Sequence, residues 1–271
     1  MRLIFLLLSQ LAVGGSAVML AVPQKPQLMS FFRFASGLFL FLAGLALLSA
    51  PRFYARETWT LAGLAEWRSR EVLLMLLFGI GHLLYGRRLR GRQRGSLPGI
   101  LSVVAAVGIL AVISEVFGSS PPESSAAVNL ALLARYLLSS ATLGAVFTGM
   151  LFGHWYLNVP GLEVEPYRRI IAALLVCLAL QAGLDVAVFS GWMLGGGSGP
   201  AASGAEAFRW YLFWGRWIIG LLGGWLIAFM AWWVLRNRAT QAATGLLYVG
   251  VLLVLAGELI GHFLVVIAMA R

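Results

Sequence analysis

Charge is scarce in this chain. Asp, Glu, Lys and Arg make up 11% of its 271 residues, against roughly 25% in a soluble globular domain. Cysteine is scarcer still: Cys177 stands alone inside an apolar run. A single cysteine excludes an internal disulfide, an iron–sulfur cluster and a cysteine-based zinc site, so any iron–sulfur chemistry belongs to a partner chain. The sequence also lacks a phosphate-binding loop, a His-Glu-x-x-His pair and a dinucleotide fingerprint. Runs such as IIAALLVCLALQAGL show no period-two alternation, which argues against a transmembrane β-barrel.

What is present is apolar. Hydrophobic residues make up 61% of the chain and the mean hydropathy is +0.89. Long apolar runs with scattered glycine fit helices in lipid, where each backbone polar group must be satisfied within its own segment. The chain therefore reads as an all-α integral membrane protein, one transmembrane helical domain over 1–271 with about eight helices in a bundle. The spans fall at roughly 3–22, 31–50, 72–87, 98–118, 127–156, 168–192, 208–235 and 242–269. The first begins with one arginine and an apolar run, as a signal peptide would. Its length and the lack of a small-x-small end favour a retained helix. Between spans lie VPQKPQ, the basic GRRLRGRQRGSLP, and the turn-rich GSSPPESS and GGGSGPAASGAE. Residues 51–70, with Trp59 and Trp67, read as a short amphipathic helix on the membrane surface.

The net charge of +10 fits helix ends facing anionic membrane lipid better than it fits nucleic acid. Eleven basic residues (Lys25, Arg33, Arg87, Arg88, Arg90, Arg92, Arg94, Arg168, Arg169, Arg236, Arg238) fall at one end of the spans. Seven (Arg2, Arg52, Arg56, Arg68, Arg70, Arg209, Arg271) fall at the other, where Glu57, Glu66 and Glu71 accompany them. The positive-inside rule then puts both termini on the outer side, which is the periplasmic side if the chain sits in a bacterial inner (plasma) membrane.

Six ionisable residues lie within spans: Glu115, Arg135, Asp185, Arg216, Glu258 and His262, with Gln10 and Gln181 as neutral companions. A charge at the bilayer centre costs roughly 2.5–3.5 kcal/mol on insertion scales, so such residues face the bundle interior in pairs. Gln181 and Asp185 are i and i+4, as are Glu258 and His262, so each pair shares a helix face. All eight fall in the half of the membrane nearer the termini. One reading is a set of salt bridges that only holds helices together. The other is a polar pocket that binds a polar-headed lipophilic ligand and passes protons.

Three Gly-His pairs stand out, Gly81-His82, Gly153-His154 and Gly261-His262. His82 and His154 fall at similar depths near the other end of their spans, and two such rings on different helices are candidate ligands for a b-type haem. Trp155, Trp192, Trp210 and Trp232 read as an interfacial belt, and Trp214, Trp217 and Trp225 as deeper packing residues. Gly220, Gly223 and Gly224 suggest close helix contacts.

The eight spans, the outward-facing polar cluster and a last helix reading TGLLYVGVLLVLAGELIGHFL resemble the membrane anchors of molybdopterin oxidoreductases, the dimethyl sulfoxide reductase anchor and the NrfD-like polysulfide reductase subunits. Their final helix often carries Gly-Glu followed by a basic residue, echoed here by Gly257-Glu258 and His262. The resemblance implies a menaquinone or ubiquinone site near the outer face and a partner subunit with iron–sulfur clusters or haem docked there. On that basis Arg135 or Arg216 steadies the quinone oxygen, with Gln10, Gln181 and Glu115 around it. Glu258, His262 and Asp185 carry protons. Three alternatives remain: a b-type haem cytochrome on His82 and His154, a secondary transporter, for which no clear internal symmetry is visible, and a purely structural anchor.

Overall fold

The computed structural model describes residues 2–60, 66–91, 96–119, 125–159, 162–194 and 204–269. All regular structure among them is helical. The helices are α1 (Arg2–Met19), α2 (Met29–Ser49), α3 (Trp67–Arg88), α4 (Leu97–Ser119), α5 (Ala126–Asn158), α6 (Glu165–Leu194), α7 (Gly204–Gly215), α8 (Gly224–Arg236) and α9 (Thr240–Met269). A π-helical segment, Arg216–Gly223, joins α7 to α8, so the three form one span. Among the described residues, eight helices are then long and apolar enough to cross a membrane, in the order and near the positions expected. α5 is the longest at 33 residues, about 50 Å at 1.5 Å per residue, and exceeds a hydrocarbon core of about 30 Å.

Expectation and structure part at residues 51–70 and at two tryptophans, and agree on the first span. Among the described residues of 51–70, 3-10 turns occupy Pro51–Tyr54 and Arg56–Trp59 and α3 begins at Trp67, where one amphipathic helix was expected; residues 61–65 lie outside the described residues. The turns are tied locally, because the Thr58 hydroxyl donates to the Arg52 carbonyl at 2.8 Å and the Trp59 indole to the Phe53 carbonyl at 3.3 Å. Trp214 and Trp225 are not deep packing residues; both rings are about two-fifths exposed on the outer surface of the bundle. The first span is an integral helix, buried along most of its length and packed on α2, α4, α5 and α9. Arg92, Arg94, Arg271, the turn-rich loops and the side chains of Glu57, Arg68 and Trp192 lie outside the described residues.

The helix contacts also reveal a symmetry the sequence hides. α1 packs on α2, α2 on α3, α3 on α4, and α4 back on α1. A second ring repeats the order: α5 on α6, α6 on α8, α8 on α9, and α9 back on α5. The cross-contacts are reciprocal, since α4 touches α5 as α9 touches α1. Four spans separate equivalent helices, so the two halves run in the same direction. The repeat is parallel rather than the inverted kind typical of many transporters.

The rings meet along α1 and α5, where glycine lets the backbones touch. A Cβ on Gly14 would strike the Ser140 carbonyl, and one on Gly144 would strike the Gly14 backbone. Ser140 donates to the Gln10 carbonyl at 2.9 Å across the same seam. Close backbone approach of this kind is how helices associate where lipid offers no hydrophobic drive.

Candidate functional site

α5, α6, α9 and the π-helical segment each bring charge to one point in the half of the bundle nearer the termini. Asp185 bridges two cations: Arg135 Nη1 donates to its Oδ1 at 2.7 Å, and Arg216 Nε to its Oδ2 at 2.6 Å. Arg216 spends its other donors on Gln181 Oε1 at 2.9 Å and the Gly257 carbonyl at 3.1 Å, and lies 3.5 Å from Glu258 Oε2. Gln181 passes the chain on, its amide donating to Thr142 Oγ1 at 2.9 Å. His262 Nε2 lies 2.9 Å from Gln10 Oε1, and its ring stacks on Tyr136 at 5.6 Å between centroids. Two guanidiniums and two carboxylates balance, which removes most of the penalty of holding charge away from water.

Local sequence explains the convergence. Gly261 precedes His262, and a Cβ there would collide with the guanidiniums of both Arg216 and Arg135. Gly220 and Gly257 bring the π-helical segment against α9 backbone to backbone. A π turn widens the helix at its start, Arg216, and such turns occur disproportionately at functional sites.

The two arginines differ in what remains free. The Arg216 side chain is 2% exposed, whereas that of Arg135 keeps 14%. Among the described residues, Arg135 Nε and Nη2, Ser139 Oγ, Glu258 Oε2 and His262 Nδ1 are buried atoms without a hydrogen-bond partner. Arg135 and Ser139 are i and i+4 on α5, Glu258 and His262 are i and i+4 on α9, and α5 packs on α9. Gln10 Oε1 can only accept, so it fixes the hydrogen of neutral His262 on Nε2 and leaves Nδ1 as an acceptor. Donors therefore stand on one helix and acceptors on the facing helix, with Ser139 able to do either. The sequence reading missed Ser9, Ser139, Thr142 and Tyr136. Ser139 and Thr142 follow Arg135 at helical spacings of four and seven, which was the available signal.

Glu115 belongs to the other ring. Its Oε1 lies 2.5 Å from Ser9 Oγ, and Glu71 and Arg2 are its charged neighbours. The Gln10 amide nitrogen approaches the same carboxyl without closing a hydrogen bond. The arrangement mirrors the second ring, where Ser139 on α5 approaches Glu258 on α9. Each glutamate also opens a Glu-x-x-Gly sequence, ending at Gly118 and Gly261.

The structure does not bring His82 and His154 together. His82 is 1% exposed, wedged against Phe39 and Phe78. The Ser16 hydroxyl donates to the Ala12 carbonyl at 2.8 Å, so it accepts from His82 Nε2 at 2.7 Å. Ser36 Oγ lies 3.0 Å from Nδ1 and donates to the His82 carbonyl at 3.1 Å, so its one hydrogen is shared between the two. Both nitrogens are committed to pinning α3 to α1 and α2. His154 is exposed and shares a hydrogen with the Tyr248 hydroxyl at 3.2 Å. A cavity of about 270 Å³ at that end, lined in part by Pro23, Phe152 and Pro166, is spanned by the exposed Lys25–Glu163 ion pair and stands apart from the charged centre.

Comparison with protein-family models, with curated proteins and with solved structures finds no match.

Proposed function

We propose that the chain is a quinone- or quinol-interacting membrane subunit of a respiratory electron-transfer complex. It would sit in a bacterial inner membrane with both termini outside and exchange electrons with an iron–sulfur or cytochrome partner at that face. The observation that carries this reading is the set of unpartnered atoms between α5 and α9. Two donors on Arg135 and acceptors on Glu258 and His262, with Ser139 between them, suit a flat head group with a polar oxygen at its edge. Four polar residues, each with an open buried atom, are more than helix adhesion requires, because a structural network closes its hydrogen bonds.

The roles divide by what each residue has free. Arg216 is fully engaged and acts as the clamp that holds Asp185, Gln181 and Glu258 in place. Arg135, partly accessible, donates to the quinone oxygen and steadies negative charge there. Glu258, a carboxylate at rest, accepts a proton at Oε2, and His262 takes or gives one at Nδ1. The quinone supplies the two-electron, two-proton chemistry.

Two measurements test this. Lipid extracted from the protein purified out of its native membranes should contain quinone at near one per chain. A short-chain naphthoquinone or benzoquinone should quench its tryptophan fluorescence saturably, with weaker binding in Arg135→Gln. Glu258→Gln should keep the complex assembled and stop quinone-linked turnover. Absence of quinone together with absence of saturable quenching would refute the reading.

A further inference from the structure

α8 turns small residues inward and aromatic ones outward. Ala228, Ala231 and Leu235 are buried on the side packed against α6 and α9. Trp225, Phe229 and Trp233 stand at i, i+4 and i+8 and are exposed. Their rings form a ladder: Trp225 and Phe229 lie 5.4 Å apart between centroids with 5° between planes, and Phe229 and Trp233 lie 6.3 Å apart at 34°. Phe229, Met230, Trp233 and Val234 line an open groove of about 470 Å³. The ladder runs for about 12 Å at the helical rise, most of one leaflet's share of a hydrocarbon core about 30 Å thick.

Two cations close the groove at the end away from the termini. The Arg236 guanidinium carbon lies 5.5 Å from the Trp232 ring centre and 5.4 Å from that of Trp233. Ring contact of this kind holds a guanidinium without consuming its N–H donors. Arg238 follows two residues on, with φ 57°. Its N–H donates to the Leu235 carbonyl at 3.1 Å, and the Ala239 N–H donates to the Val234 carbonyl at 3.2 Å. That pair of bonds ends a helix on a left-handed residue. Glycine adopts this conformation freely and arginine does so at a cost, so a charge stands where backbone preference alone would not put it. Among the described residues, neither arginine is ion-paired to a carboxylate.

We infer that this face of α8 binds one anionic phospholipid. The phosphate is held by Arg236 and Arg238, and one acyl chain lies in the groove along Phe229 and Trp233. Arginine's planar fork matches phosphate oxygens, and a rigid aromatic wall gives the chain continuous dispersion contact. The two free cations select a headgroup with net negative charge, because the ammonium of phosphatidylcholine already offsets its phosphate. Arginines that only oriented the chain in the membrane would need neither the ring pair beside Arg236 nor the left-handed position of Arg238. The site lies at the other end of its span from Arg216, so it stands or falls apart from the quinone reading.

The test uses the full chain in detergent, by native mass spectrometry, with phosphatidylglycerol and phosphatidylcholine of identical acyl chains. One phosphatidylglycerol should be retained on the order of twentyfold more tightly than phosphatidylcholine, at about fivefold per arginine. Arg236→Gln with Arg238→Gln should abolish the preference. Arg87→Gln with Arg88→Gln, at the same end but on α3, should leave it unchanged. Arg238→Gly relieves the backbone and removes one charge, so it should lower the preference about fivefold with Tm held or raised. Trp233→Leu should weaken phosphatidylglycerol binding as well. An unchanged preference in the Arg236 and Arg238 double variant, or an equal loss in the Arg87 and Arg88 one, would overturn the proposal. Displacement of the lipid by millimolar inorganic phosphate would reduce the site to its two cations. A dimer that Trp233→Leu dissociates would give the face to a second copy of the chain. Either result also overturns the proposal.

Discussion

Arg216→Met is the sharpest perturbation of the centre. Arg216 is 1% exposed and serves four acceptors on two helices, Asp185 at 2.6 Å and Gln181 at 2.9 Å on α6, and the Gly257 carbonyl at 3.1 Å and Glu258 at 3.5 Å on α9. Methionine fills much of the volume and removes the charge. Asp185 keeps Arg135, but Glu258 loses its ion pair, and two buried oxygens lose their donor. Removing one partner of a buried ion pair typically costs about 3–5 kcal/mol. With each kcal/mol worth about 2–4 °C at this chain length, Tm should fall on the order of 10 °C. Thermal unfolding in detergent, followed by tryptophan fluorescence, reads this directly. Arg216→Lys should fall between, since a compact ammonium cannot fork across the same acceptors. The double variant Arg216→Met with Glu258→Gln restores charge balance and should recover a large part of the loss. A wild-type Tm for Arg216→Met, or a double variant no better than the sum of its singles, would show that the charges are not coupled as the geometry requires.

Gly261→Ala would push a methyl group into the guanidiniums of Arg135 and Arg216 and should cost about 1–3 kcal/mol by overpacking, with quinone analogue affinity falling alongside Tm. Gly144→Val should prevent the two rings from closing on each other, because the side chain would meet the Gly14 backbone; loss of the monodisperse peak on gel filtration is the readout. Lys25→Ala removes a pair whose partners are 46% and 64% exposed, and its effect should stay below about 1 kcal/mol. The purified protein should show no Soret band, since His82 has no nitrogen to offer a haem iron.

Depth along the helices was legible in the sequence, and lateral position was not. A lipid-facing helix betrays any charged residue by its rarity, and the helical rise converts its place in the span into a depth. That is how Arg135, Asp185, Arg216, Glu258 and His262 could be grouped before their partners were known, and the i, i+4 pairs at 181/185 and 258/262 fixed which face they share. Sequence could not rank the two arginines. The ranking depends on which donors remain after packing, and that follows from Gly261, Gly220 and Gly257, whose meaning appears only when the facing helix is in place. The pairing of His82 with His154 failed for the same reason. Equal depth is necessary for two rings to share a ligand, but α3 and α5 belong to different rings, and Ser16 and Ser36 had already satisfied His82. The internal repeat escaped notice because lipid accepts many apolar side chains, so two halves can keep their contacts while their sequences drift. What survives is what lipid penalises: Ser9 with Glu115, Ser139 approaching Glu258, and the glycine three residues after each glutamate. The two halves differ in charge. The second carries Arg135, Arg216 and His262 in an ion-paired centre with open donors and acceptors. The first carries Glu115 against Ser9, with Glu71 and Arg2 near it. That difference is lateral, not one of depth, so it could be read only once the helices were packed side by side.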